Sequence, residues 1–470
     1  MIRIHSYPMK TRRCTAAAAG VAAAAAAAAA YCHPICGKVI KENQHGWKVI
    51  HVHGTAYERG FAHGFLLYKE IAKLQQRYPF LVKQQHDAIH NPIIKETIQP
   101  IVQTHFPEIY EEIEGIAAGA TARGVSVTAD FLLAWNLHSS ISPLLTPPKD
   151  KCSAFIATGN ATQSGEIVMG HTTHDIFPEA QLYNIILFMT PKKGHPFVMQ
   201  TGPGLVASVT DWFLCSTGII GCETTIFGTN YEPHFGYPFF CRIRKAMQYA
   251  TSLNEYADIM KHNSAGDYAC SWLFGNINTN EIMLCEIGLK ESNIQTTRNG
   301  IYYGMNSAID HDIRTKETSD QTWNDPSKST GARAQRLNEL LYDTYYGNIS
   351  ATNAKRILAD HYDVFLRKDA PNNRSICRHT ENNNETGDKA HYLYGCTDGK
   401  VTTSALAKTL SFFARFGSAC GRPFSIKHHI RKYPKYKPWE PYTDDFVSLP
   451  WTQITPATSR KRKTQRRREN

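Results

Sequence analysis

The sequence predicts a layered α+β domain, and three features of its hydrophobic pattern predict it. Apolar residues recur with a helical period from Ala56 to about Gly124. Short strand-like runs separated by turn residues then fill the chain from Cys152 to about Asn306. Helical periodicity returns after residue 331. With 470 residues, 42% hydrophobic and 11% aromatic, the chain can bury a substantial core, which excludes disorder of the whole.

Taken in order, "YERGFAHGFLLYKEIAKLQQRY" sets Phe61, Phe65, Ile71 and Leu74 roughly on one helix face, and "PEIYEEIEGIAAGATARG" repeats that period before a glycine stop. "CSAFIAT" and "EIVMGHTT" flank the turn "GNATQSG", and "YNIILFM" and "PFVMQT" flank "TPKKGH", as antiparallel hairpins do. "WFLCSTGIIGCETTI", "SWLFGNI", "EIMLCEIG" and "GIYYGMN" continue the strand block. A helical segment, "YPFFCRIRKAMQYATSLNEYADIMKHN", interrupts it. "GARAQRLNELLYDTYYG" and "SATNAKRILADHY" read as helices, and "VTTSALAKTLSFFARFGSACGRPF" reads as strand. No internal repeat is visible.

The net charge of +11 belongs to the ends: four bases without an acid in residues 1–31, and seven bases against Glu469 in residues 456–470. The body is therefore close to neutral, which argues against a nucleic-acid-binding surface. The final "SRKRKTQRRREN" reads as a solvated tail, with a nuclear address or nucleic-acid arm as its functional alternative. A basic start followed by "AAAAGVAAAAAAAAA" has the order of a secretory signal over residues 1–31. Sequons at Asn160, Asn348, Asn373 and Asn384 suit an exported glycoprotein. After Ala30 no apolar run is long enough to span a bilayer. The twelve cysteines show no CxxC pair and no Cys/His cluster with zinc spacing, so no metal and no cofactor are expected; disulfides and buried thiols both remain open.

Cys152 stands apart from this background. It follows a charged, proline-containing loop (Pro147, Pro148, Lys149, Asp150, Lys151) and begins a strand-like run, whereas a structural cysteine normally lies inside an apolar one. The layout suits a nucleophile whose own α-amine, freed by cleavage of the preceding peptide bond, serves as base, because an α-amino group with a pKa near about 8 can take a proton at working pH. On layout alone a structural or disulfide cysteine is the favoured reading.

The motifs "GTAYERGFAHGFLL" (54–67), "EEIEGIAAGA" (111–120), "CSAFIATG" followed by "MGHTTHD", "STGIIGCETTI" (216–226), "NSAGDYACSWLFGNINTNEIMLCEIGLK" (263–290), "GMN" (304–306), "ARAQR" (332–336) and "GKVTTSALAKTLSFFARFGSACGRPF" (399–424) occur in one order. Through them the chain from about 47 to 454 resembles the phospholipase B-like family, N-terminal-cysteine hydrolases related to the penicillin acyltransferases. The resemblance implies a four-layer αββα sandwich made as a precursor: residues 32–151 as the N-terminal part, and residues 152–455 as the catalytic chain, which keeps the cleaved fragment as partner. It implies Cys152 as nucleophile, His171 near the nucleophile's end, Asn306 as oxyanion donor and Arg333 as the group orienting the cleft. It also implies that Glu223, Thr224 and Thr225 line the cleft. His174 stands where the family usually has Trp, which leaves substrate preference open.

The implied activity is removal of acyl chains from glycerophospholipids through a Cys152 thioester, in a secreted or lysosome-like compartment, with at most peripheral contact to a membrane surface. The alternatives are an N-acyl amide hydrolase or acyltransferase, and a non-catalytic secreted lipid-binding protein.

Overall fold

The computed structural model of the protein describes residues 35–85, 92–138, 152–208, 212–230, 235–383 and 390–456. The expected signal segment, Lys151, the sequon Asn384 and the basic end from 457 lie outside the described residues.

In chain order the strands are β1 (Gly37–Gln44), β2 (Trp47–Gly54), β3 (Cys152–Thr158), β4 (Val168–Ile176), β5 (Ile185–Pro191), β6 (Phe197–Thr201), β7 (Trp212–Cys215), β8 (Ile219–Thr225) and β9 (Cys270–Asn276). After them come β10 (Glu281–Ile287), β11 (Ser292–Thr297), β12 (Gly300–Gly304), β13 (Tyr362–Asp363), β14 (Lys368–Asp369), β15 (Tyr394–Cys396), β16 (Asp398–Thr403), β17 (Phe412–Phe416) and β18 (Thr452–Ile454). A nine-stranded sheet runs β1-β2-β5-β6-β7-β8-β9-β10-β11. A seven-stranded sheet runs β12-β3-β4-β16-β17-β18, with β15 on β4.

The α+β class is as expected, and three details differ. β2 pairs with β5 in parallel, because the strand arrives from ahead of the helical region and not through a hairpin. The run 401–424 is strand only over 401–403 and 412–416, with a short helix (Ser404–Ala407) between β16 and β17 and no strand in it after Phe416. β1 and β11 carry no apolar run to announce them, since both lie at sheet edges and bury none of their residues fully.

Strand periodicity sorts the core. Ile50, Leu187 and Phe213 of the nine-stranded sheet pack on Ile113, Ile116, Ile243 and Met247 of the helices. Val49, Ile186, Val198 and Leu273 face the other way and meet Ala154, Ile156 and Met169 of the seven-stranded sheet. On that sheet's far side Phe155, Ala157 and Val168 pack on Leu337, Leu341 and Ile357.

The helices Ala56–Leu66 and Pro107–Thr121 approach almost backbone to backbone. Thr55 and Glu58 form a capping box at the first. A Cβ added at Gly60 or Gly64 would lie 2.1 or 2.0 Å from the Glu112 or Ile116 carbonyl oxygen, and one at Gly119 2.1 Å from that of Phe61. Closeness also buries Glu112, whose carboxylate is held by Arg59 and, through both oxygens at 2.9 Å, by Arg244. That arrangement fixes the helical layer on the sheet that bears β8, one wall of the site.

Candidate active site around Cys152

β3 begins at Cys152, and its period of two turns Cys152, Ala154 and Ile156 toward the space between the sheets, and Ser153 and Phe155 toward the helices. On one side β4 sets Thr173 opposite Cys152 and His171 opposite Ala154. On the other, β12 sets Gly304 opposite Ala154. Gly304 is glycine for lack of room: a Cβ there would lie 2.3 Å from Thr224 Oγ1 of the facing sheet.

Two residues past Gly304, Asn306 adopts φ 78°, a left-handed conformation that Asn tolerates better than most residues. Its Oδ1 accepts the Cys152 N–H at 3.1 Å and Arg333 Nη2 at 2.9 Å, while its Nδ2 donates to the Thr225 carbonyl at 2.9 Å. Arg333, fully buried on the helix Ser329–Asn338, also donates to the Cys152 carbonyl (2.6 Å), Ser153 Oγ (3.0 Å) and the Met305 carbonyl (2.9 Å). Cys152, Asn306 and Arg333 are thus brought together, with the Asn306 oxygen, and not its nitrogen, turned to Cys152.

His171 lies on the inter-sheet face. Its Nε2 bonds the Glu223 carbonyl of β8 at 3.0 Å; a carbonyl only accepts, so Nε2 carries the proton and the buried Nδ1, without a hydrogen-bond partner, holds a lone pair. Burial, then the Lys400 charge, hold this imidazole well below its ordinary pKa, so it is neutral. His174 lies on the opposite face of β4, where its Nε2 donates to the Ile376 carbonyl at 3.1 Å. It too is kept neutral, by burial and then by the charge of Arg333. Thr224 faces the inter-sheet space. The Glu223 carboxylate instead accepts from Tyr268 Oη at 3.0 Å, so Glu223 meets His171 only through its backbone.

One group is absent from the sequence reading. Lys400 Nζ donates to Thr173 Oγ1 at 2.8 Å and to Asp398 Oδ2 at 2.9 Å, and Gln200 Nε2 donates to the same carboxylate at 2.9 Å. All three are buried beside the strand position opposite Cys152. The available signal was Asp398-x-Lys400, opposite charges on one face of a strand in a buried block. An open groove of about 900 Å³, lined by Tyr302, Tyr303, Met305, Trp323 and Tyr342 among others, borders β12 and the Arg333 helix.

Of the described sequons, Asn160 and Asn348 are exposed and Asn373 is half-buried. Among the described residues no helix is long and apolar enough to cross a membrane. The sequence shows no Cys/His cluster with zinc spacing, yet among the described residues the donor atoms of His361, Cys377, His379 and Cys420 all lie within 4.8 Å of one another. Cys377 and His379 share one loop, but His361 and Cys420 come from other parts of the chain, so no single local spacing betrays the set.

No protein-family model matches the chain. Over 251 residues it is 26% identical to a protein of Archaeoglobus fulgidus described as uncharacterized, a match covering 49% of this chain and 41% of that relative. The chain therefore matches less than half the length of the curated relative. Among solved structures, a variant of the conjugated bile acid hydrolase of Clostridium perfringens superimposes with a TM-score of 0.34 and 8% identity, covering 56% of this chain and 89% of that one. A likeness of that size carries no weight for fold or chemistry.

Proposed function

We propose that this chain is an N-terminal-nucleophile hydrolase of αββα architecture that cleaves acyl groups at Cys152, with phospholipid esters as its first substrate class. One observation carries the reading: Asn306 and Arg333 converge on the main chain of Cys152, holding its nitrogen at 3.1 Å and its carbonyl at 2.6 Å. A structural cysteine does not need its nitrogen fixed by a buried side chain. In the uncut chain that nitrogen is a peptide N–H. Once the bond to Lys151 is hydrolysed it is an α-amine, which keeps a hydrogen on Asn306 and aims its lone pair elsewhere.

The amine takes the thiol proton, and the thiolate attacks the acyl carbon. The resulting ammonium returns the proton to the departing alkoxide as the thioester forms. Water then attacks the thioester, the amine accepts the water proton, and the released thiolate recovers it as the carboxylic acid leaves. Asn306 Nδ2 serves an oxyanion only by releasing the Thr225 carbonyl, so its first role here is to orient the amine. The neutral His171, with its Nδ1 lone pair on the face shared with Cys152, is the second group assigned to proton handling. The tyrosine-lined groove offers an apolar surface for an acyl chain.

The N-terminal residue of every chain in the purified protein tests the first step, and a paired screen of phospholipid esters and N-acyl amides tests the second. Cys152→Ala is expected to leave one uncut, inactive chain. Processing and turnover at wild-type level in that variant refute the mechanism. Turnover of amides but not esters removes the phospholipase reading and leaves the nucleophile.

A further inference from the structure

The loop between the helix Ala351–Leu358 and β15, together with the turn after β17, gathers two imidazoles and two thiols that the acyl chemistry does not use. His361 directly precedes β13, Cys377 and His379 sit in the loop before the turn Thr380–Asn382, and Cys420 follows β17. The His379 Nε2 lies 3.5 Å from Cys377 Sγ and 3.5 Å from Cys420 Sγ. Zinc bonds of about 2.3 Å to sulfur and about 2.0 to 2.1 Å to nitrogen, at the tetrahedral angle, span a sulfur–nitrogen edge of about 3.5 Å. Two such edges share the His379 nitrogen.

The surroundings match a metal site as well as the donors do. His379 Nδ1 bonds the Glu381 carboxylate at 2.7 Å, which fixes the ring and turns the Nε2 lone pair to the thiols. Cys420 Sγ accepts the N–H of Arg422, two residues on, at 3.3 Å and contacts Ser418 Oγ at 3.3 Å, as suits a sulfur carrying negative charge. His361 Nε2 is buried with no hydrogen-bond partner. A fifth group, Cys396, lies against Cys377, but its sulfur also accepts the Ala419 N–H at 3.2 Å and touches Thr172 Oγ1 at 2.8 Å, which turns it toward β4.

We propose that His361, Cys377, His379 and Cys420 hold one structural zinc ion in a closed tetrahedral site. Two thiolates and two imidazoles fill all four positions, which leaves none for a reacting water. The ion ties the 359–383 loop to the end of β17. The same loop presents the Ile376 carbonyl to His174 and pairs His379 with Gly395, so the clamp also holds the cover over β4 beside the candidate active site. A Cys377–Cys420 disulfide is the competing chemistry, and it leaves the two imidazoles without a purpose.

The test uses the full chain purified without a histidine tag or chelator. Elemental analysis is expected to find one zinc per chain, and replacement by Co²⁺ to give a tetrahedral spectrum with a thiolate-to-cobalt charge-transfer band. Cys377→Ser, Cys420→Ser and His361→Gln are expected to weaken Co²⁺ binding at least about tenfold, and Cys396→Ser to keep one ion. A metal-free protein as isolated that carries a Cys377–Cys420 disulfide overturns the proposal. So does a reduced chain that takes up no Zn²⁺ or Co²⁺, or equal loss in Cys396→Ser and Cys377→Ser. The wild-type stoichiometry decides by itself, so a ligand variant that fails to fold does not shelter the idea. Loss of acyl hydrolysis in Cys152→Ala leaves this result untouched.

Discussion

Arg333 presents a flat fork of donors to acceptors on Cys152, Ser153, Met305 and Asn306, and only a guanidinium satisfies that many at fixed angles. Arg333→Lys keeps the charge and loses the fork. It is expected to slow both chain cleavage and acyl turnover about a hundredfold or more, read from fragment appearance on a denaturing gel and from initial rates. Ser153→Ala removes one neutral acceptor, and both rates should stay within about tenfold. His63 supplies a pH prediction. Its Nε2 accepts the Gly204 N–H at 2.9 Å, and burial lowers its pKa to about 4, with Glu112 opposing and Arg244 assisting. Because the folded value lies below the unfolded one, the stability is complete above about pH 6.5 and is lost as pH falls toward 4. The loss is about 3 kcal/mol for full burial. His171 and His174 act in the same direction. The Tm of the wild type should therefore drop between pH 7 and pH 4.5. His63→Gln, which can still accept from Gly204, should show a smaller drop, and an equal drop removes His63 as the cause.

At the scale of elements, the contact between Ala56–Leu66 and Pro107–Thr121 depends on glycines whose added Cβ would strike backbone, which cannot rotate away. Gly64→Ala should cost about 1–3 kcal/mol or more, seen as a lower denaturant midpoint at unchanged slope. An unchanged midpoint would mean that the helices separate more easily than their packing implies. The two glycine pairs were visible in "GTAYERGFAHGFLL" and "EEIEGIAAGA", but not that they face each other, since spacing within a helix says nothing about its neighbour. In β3, likewise, alternation is written in the sequence, while the assignment of Cys152 to the inter-sheet face depends on which partner covers each side.

Across the whole molecule, the nine-stranded sheet is built from both sides of the expected cut. β2 comes before Cys152 and pairs along its length with β5, which comes after. The cut protein is therefore expected to elute as one species in size-exclusion chromatography and to yield two chains only in denaturant. Separation under native conditions would contradict the parallel β2–β5 pairing. Cys152→Ala should elute at the same volume, because the sheet does not depend on the cut.

Local pattern determined the α+β class and the place of β3 with Cys152 at its first position, because hydrophobic period and turn chemistry act over a few residues; that Cys152 is buried there, and not open as its place after a charged loop suggested, was decided by the packing of the two sheets. The resemblance of separate motifs brought Asn306 and Arg333 into the same account. Tertiary structure alone decided that the Asn306 oxygen meets the Cys152 nitrogen, that the Glu223 carboxylate turns to Tyr268, and that Lys400 and Asp398 form a buried pair next to the site. It alone gathered His361, Cys377, His379 and Cys420. Apart from the Asp398–Lys400 and Cys377–His379 pairs, these contacts join residues tens to hundreds of positions apart. The strand register that aligns them is set by the burial of whole faces, which no single stretch of sequence records.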